Sequence, residues 1–253
     1  MKYYPRLVDL ACFTRDDVEA MTGNRATAHS VIEAYKKKGL IESVRRDLFV
    51  AVSFETRQPV ANRYVIASHA APGAYVAYHS AFEYHGIANQ VYYEVYAASK
   101  SRFRIFEHGG LTYRHVPTSL DMGLDEKNGV RVTDLERTVI DGINNSAKVG
   151  GLEELLFCIG IIPYLDSRKL IDYLNAYNTG FLYQKSGYIL EHYREALKLP
   201  DAFFDACRNN MTKSKRYLYG NLQREAHVYD TNWALYVPVD LRAVTRKGVA
   251  RHD

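Results

Sequence analysis

Residues 14–52, TRDDVEAMTGNRATAHSVIEAYKKKGLIESVRRDLFVAV, decide how the N-terminal part of this chain folds. Thr14 has the side chain of a helix N-cap, and Asp16, Asp17 and Glu19 follow where carboxylates meet the positive end of a helix dipole. Gly23 ends that helix at a turn. A second helix is expected over about 25–38, because Ala28, Val31, Ile32 and Tyr35 fall on one side of a wheel advancing ~100° per residue, and Gly39 closes it. Then LIESVRRDLFVAV gives two β-rich stretches around a polar tip at Arg45, Arg46 and Asp47, which reads as a hairpin. With a short helix over about 6–11 in front, the order is helix, helix, turn, helix and basic hairpin, that of a winged helix-turn-helix. Val18, Met21, Ile32, Tyr35 and Leu48 would form its core.

The face of the 25–38 helix opposite its apolar stripe holds Ala26, Ser30 and Lys37, flanked by Arg25, Thr27 and His29. Short side chains let a helix enter the major groove, while Arg, Ser and Thr reach base edges. Lys36, Lys37 and Lys38 stand at its far end, and Arg45 with Arg46 at the hairpin tip would meet phosphates of the same groove. Arg25, Thr27, His29, Ser30, Lys36, Lys37, Lys38, Arg45 and Arg46 are therefore the candidate DNA-binding residues. The competing reading makes the lysines a solvated helix end and the winged helix a protein-contact module.

Outward from this stretch, FETRQPVAN at 54–62 is polar, carries Pro59 and reads as a connector. The expected division is a winged helix-turn-helix domain over 1–57 and a larger domain over 60–253. In the second part YVIAS, VYYEVYAAS, RFRIF, LTYRHV and GVRVT have the content of strands, and HSAFEYHG that of a short helix stopped at Gly86. From 133 to about 210 the pattern turns helical, and NWALYVPVDLRAV is expected as a late strand region before a basic tail. The fold class is thus α+β: a small N-terminal winged helix-turn-helix, then a mixed α/β domain with a helical C-terminal half.

Composition supports a folded chain and excludes little else: 47% hydrophobic and 25% charged residues are globular values, and a net charge of +4 is too mild to establish nucleic-acid binding without clustering. No apolar run approaches the ~18 residues of a membrane span, and MKYYPRLVDL lacks a signal-peptide core, so a cytoplasmic location and no membrane partner are expected. Cys12, Cys158 and Cys207 lie in apolar contexts without a CxxC pair and read as reduced, buried thiols.

GVRVTDLERTVIDGI at 129–143 reads first as structure, with Thr133 and Glu136 as a capping box and Leu135, Val139, Ile140 and Ile143 as a buried face. The catalytic alternative makes Asp134, Glu136 and Asp141 the carboxylates of a metal-dependent nuclease, although the segment lacks the lysine usual beside such acids. The same stretch resembles the strand-to-helix signature of the AbiEi antitoxin family of bacterial abortive-infection, type IV toxin–antitoxin systems. KKKGLIESVRRDLFVA, VAYHSAFEYHGIANQ, YQKSGYILEHY and NWALYVP agree with that family in order, so the resemblance spans nearly the whole chain. Asp47 and Phe49 depart from it, standing where relatives usually have Gly and Tyr.

The resemblance implies an autorepressor that binds its own operator and an antitoxin that counteracts a nucleotidyltransferase-like toxin, with or without a stable complex. No cofactor and no catalytic residue are expected from the residues themselves. The alternative is a DNA-targeted nuclease or nucleotidyl-transferring enzyme. No metal site is expected, since His79 and His85 are six apart and His69, His108 and His115 lie in separate segments. Ser80 and Ser186 lack a nucleophile elbow, and no glycine-rich phosphate loop occurs. Tyr92, Tyr93 and Tyr96 read as strand packing with one exposed ring, and Lys213, Lys215, Arg216 and Arg224 as a solvated basic cluster.

Overall fold

The helix starts and stops written into the N-terminal sequence are realised in the computed structural model, which describes residues 1–239 and 241. Helix α1 (Tyr4–Leu10) and strand β1 (Cys12–Thr14) lead into α2 (Arg15–Thr22), where Thr14 and Asp17 form a reciprocal capping box and Gly23 turns the chain at φ +72°. Helix α3 (Arg25–Lys37) follows with Asn24 as its cap, then β2 (Ile41–Arg45) and β3 (Leu48–Ala51) form the hairpin. Their antiparallel sheet has the order β1-β3-β2, and the short β1, absent from the sequence reading, pairs Cys12 with Val50 and Phe13 with Phe49. Leu7, Phe13, Val18, Ala28, Ile32, Tyr35, Leu40, Ile41, Phe49 and Ala51 close one hydrophobic cluster, with Met21 and Val31 at its margin.

The described chain divides into two compact units. The first comprises 1–80, 92–119 and 124–133, so the winged helix shares it with α4 (Arg63–Ser68) and a mixed sheet. That sheet contains β4 (Tyr75–Val76), β5 (Glu94–Ser99), β6 (Phe106–His108), β7 (Leu111–Pro117), β8 (Leu124–Lys127) and β9 (Val130–Thr133). Its order is β6-β7-β5-β4-β9-β8, parallel at β5–β7 and at β4–β9. YVIAS, expected as a strand, is helix α4. Asn62 accepts from the Tyr64 and Val65 amides at 2.9 and 3.0 Å, and that cap outweighs the β-branched content. RFRIF is strand only from Phe106 onward.

The second unit comprises 81–91, 120–123 and 134 onward. Helix α5 (His79–Tyr84) enters it, and α6 (Leu135–Asn144), α7 (Leu152–Gly160), α8 (Ser167–Tyr177), α9 (Gly180–Glu191), α10 (Arg194–Leu197) and α11 (Asp201–Asn210) make it mainly helical. A small sheet of β10 (Arg216–Tyr217), β11 (His227–Asp230) and β12 (Leu235–Pro238) completes it in the order β10-β12-β11. Trp233 is fully buried against Gly187 of α9, where a Cβ would lie 2.0 Å from the indole. That approach is what makes residue 187 a glycine. Part of the expected late strand and all of the basic tail lie outside the described residues. The architecture is α+β, and among the described residues no helix is long and apolar enough to cross a membrane.

Candidate nucleic-acid interface

Helix α3 divides its residues as its periodicity requires. Ala28, Ile32 and Tyr35 are buried, while Arg25, Ala26, Thr27, His29, Ser30, Lys36 and Lys37 are exposed, as is Lys38 at the cap. The N-terminal end is held firmly, because Asn24 Oδ1 accepts from the Ala26 and Thr27 amides at 2.9 and 3.1 Å. Ser30 donates to the Ala26 carbonyl at 3.1 Å, and Lys36 pairs with Glu33 at 3.2 Å. Arg25, Lys37 and Lys38 have no ion pair among the described residues. The outer face therefore offers short polar side chains over its first two turns and uncompensated cations at both ends.

The wing separates two arginines that the sequence reading had treated together. Arg46 stands at the tip, its side chain 95% exposed and 3.5 Å from Asp47. Arg45 is half-buried instead. A register irregularity between Ser43 and Arg45 breaks the alternation of β2, and such a bulge re-aims the side chain beside it. The Arg45 guanidinium donates to the Ala70 carbonyl and lies 5.8 and 5.5 Å from the Phe103 and Phe106 ring centres. Burial pulls its pKa below the usual arginine value, with Asp47 acting in the opposite sense. At Asp47 the backbone takes φ +60°, a turn conformation that aspartate tolerates better than most residues.

Two arginines that the sequence reading did not nominate join this region. Arg15 on α2, 3.0 Å from Asp47, and Arg131 on β9 line one cleft of about 560 Å³ together with Arg25, Arg45 and Arg46. Arg15 follows the Thr14 cap directly and was visible in the opening stretch. Arg131 is brought in by the parallel pairing of β9 with β4, a long-range contact with no local signal.

The carboxylates of TDLERTVIDGI stand in a different setting. The helix cap is Asp134 and not Thr133: Asp134 Oδ1 accepts from the Arg137 amide at 2.8 Å, while Thr133 ends β9. The cap thus lies one residue beyond the expected Thr133, as a single acceptor in place of the expected capping box, since the strand runs on through Thr133. Asp134 Oδ2 accepts from Tyr173 at 2.5 Å and from Lys169 at 3.0 Å, and Glu136 accepts from the Asp166 amide at 2.9 Å. Asp141 takes Arg137 at 2.7 Å and Tyr177 at 2.6 Å. Burial raises the Asp141 pKa, and the Arg137 charge opposes that rise. These acids act as buried acceptors that tie α6 to α8.

Elsewhere in the second unit, Lys185 lies beside a cavity of about 530 Å³ that Lys215 and Arg216 also line. Its ammonium donates to the Ile143 and Asn144 carbonyls at 2.6 and 2.8 Å, and burial lowers its pKa to about 8. This is a lysine closing the C-terminal end of α6. Cys12, Cys158 and Cys207 are free, buried thiols, and burial pushes those of Cys12 and Cys207 up to about 12. Tyr93 is the exposed ring of its run, and Tyr92 packs edge-on against His79 at 4.1 Å. Among the described residues no three His, Cys, Asp or Glu side chains converge as metal ligands.

No protein-family model matches the chain, and no curated protein matches it in sequence. Its fold is similar to that of the RV2827C protein from Mycobacterium tuberculosis, a crystal structure that aligns with a TM-score of 0.58 at 12% identity over 95% of this chain and 90% of that one.

Proposed function

We propose that this protein is a DNA-binding antitoxin and transcriptional autorepressor of a type IV toxin–antitoxin operon, acting in the cytoplasm without enzymatic turnover. The observation that carries the DNA-binding half is the outer face of α3. It combines a rigidly capped N-terminus, exposed Arg25, Thr27, His29 and Ser30, and uncompensated Lys37 and Lys38, with exposed Arg46 on the adjoining wing. A helix inserted in the major groove reads bases with such short and cationic side chains, while flanking cations meet phosphates.

The antitoxin half rests on the family resemblance of the TDLERT, HSAFEYHG and YQKSGYILEHY segments. Its partner is a nucleotidyltransferase-like toxin encoded beside it. The internal pairing of Asp134, Glu136 and Asp141 supports a structural role for the acids that the enzyme reading would use. Gel shifts with duplex from the protein's own promoter test the first half: saturable binding that weakens steeply with salt is expected, and no preference over unrelated duplex would refute repression. Co-expression with the neighbouring gene tests the second, growth rescue being the expected result. Metal-dependent cleavage of DNA by the purified protein would overturn the non-enzymatic reading.

A further inference from the structure

The cleft beneath the wing is lined by residues from beyond the winged helix as well as from within it. Of its basic residues, Arg25, Arg45 and Arg46 come from the recognition helix and hairpin and Arg15 from α2, whereas Arg131 belongs to β9 and His69 follows α4. Asp16 and Asp47 are the acids on its wall, so its formal charge is +3 with His69 neutral. Asp47 is shared between Arg15 at 3.0 Å and Arg46 at 3.5 Å, and Glu126 stands 3.8 Å from Arg131. Arg25 has no such partner among the described residues. The buried Nε atoms of Arg15 and Arg45 also lack an acceptor. His69 fixes one ring nitrogen, Nδ1, on the Val65 carbonyl at 2.8 Å, which leaves Nε2 as its other polar atom.

Converging guanidinium groups with too few acids are the arrangement that recognises a phosphate, because each planar fork can give two parallel hydrogen bonds to its oxygens. We infer that this cleft is a phosphate-binding site that the winged helix shares with α4 and β9. Phosphate reaches it either as the backbone of a duplex lying along α3, whose first residue Arg25 forms part of the wall, or as a free phosphorylated small molecule. The duplex source rests on the DNA-binding reading above; the free source does not.

The test uses the full chain, duplex from its own promoter and inorganic pyrophosphate, with Arg15→Gln, Arg25→Gln and Arg131→Gln variants checked for unchanged melting temperature. If the cleft holds the backbone, Arg131→Gln weakens duplex binding about fivefold and makes the log–log salt dependence shallower by about 0.9, the value of one phosphate contact. If it holds a free phosphate, wild-type protein binds pyrophosphate in calorimetry and both Arg15→Gln and Arg25→Gln lose that binding. Because Arg25 is exposed and unpaired, its variant reports on the cleft even where Arg131→Gln lowers the melting temperature. Either result supports the site. The proposal is overturned if wild-type protein binds no pyrophosphate while Arg15→Gln and Arg131→Gln keep full duplex affinity and slope. Should wild-type protein bind no duplex at all, the DNA reading fails by itself. The cleft is then decided by pyrophosphate, where binding supports it and no binding overturns it.

Discussion

Helices α3 and α6 look alike in sequence, each carrying polar and charged residues beside an apolar stripe, yet the folded chain treats those residues in opposite ways. On α3, Arg25, Lys37 and Lys38 stay in solvent without ion pairs among the described residues. On α6, Asp134, Glu136, Arg137 and Asp141 are buried, and each has a partner within hydrogen-bond distance. A buried charge is tolerated only when paired, so the α6 set is fixed by folding itself. An exposed cation without a partner adds little to stability and is available to a ligand. Unpaired charge on the surface marks the place to look for function here, and paired charge in the interior marks architecture.

The largest effect should come from breaking the α6 set. Arg137 is 1% exposed, and its removal leaves Asp141 buried without its ion-pair partner. Arg137→Ala is expected to cost about 3–5 kcal/mol in denaturant unfolding. A variant that kept its stability but lost duplex binding would reverse the assignment of the two helices.

Next in size is a pH effect at Lys185. Burial lowers its pKa from 10.5 to about 8, so between these values the unfolded chain binds more protons than the folded one. Stability should therefore rise with pH across that window and be independent of pH, as far as this group is concerned, below about pH 8, where both states are protonated and the cost of burying the charge is fully present. At about 1.36 kcal/mol per pKa unit the rise is bounded at ~3 kcal/mol. Lys185→Met should abolish the rise while lowering stability at every pH, since the Ile143 and Asn144 carbonyls lose their donor. Parallel pH profiles for variant and wild type would rule this out.

What the sequence made legible was local. The Thr14 cap, the Gly23 and Gly39 stops, the Ala28–Ile32–Tyr35 stripe and the hairpin could all be read from neighbours a few residues apart. The errors arose where a nearby choice was decided at one atom or at long range. Asn62 turned a β-branched segment into α4, one more strand residue moved the α6 cap from Thr133 to Asp134, and a bulge turned Arg45 inward. Strand β1 gains its order from pairing with β3, some 35 residues later, and the periodicity of three residues could not announce it. Of the nominated residues, those of α3 and Arg46 are exposed and Arg45 is half-buried against Phe103 and Phe106, while Arg131, which no local signal nominates, reaches the cleft through the sheet.

A smaller effect is expected on the exposed face of α3. Arg25→Ala should weaken promoter binding by about 1–3 kcal/mol if the side chain contacts a base. Lys37→Ala should weaken all duplexes alike and make the salt dependence shallower by about 0.9. Since both residues are exposed, neither change should move the unfolding transition beyond about 0.5 kcal/mol. Gel-shift affinities that match wild type in both variants would remove α3 as the recognition helix.

The smallest effect separates two adjacent lysines. Lys36 is 3.2 Å from Glu33, one turn back on the exposed surface, whereas Lys37 has no ion pair among the described residues. An exposed helical pair of this kind contributes about 0.2–0.5 kcal/mol to stability, and its carboxylate also offsets the field that a phosphate would meet. Lys36→Ala should therefore cost less duplex affinity than Lys37→Ala. Glu33→Gln carries the sharper expectation: it frees Lys36 and removes a negative charge from the same face, so binding should tighten by a few tenths of a kcal/mol at low salt. In a double-mutant cycle most of that gain should disappear when Lys36 is already alanine. If Glu33→Gln leaves affinity unchanged at low salt, the last turn of α3 lies beyond the reach of the phosphates. The contact would then be confined to the N-terminal turns and the wing.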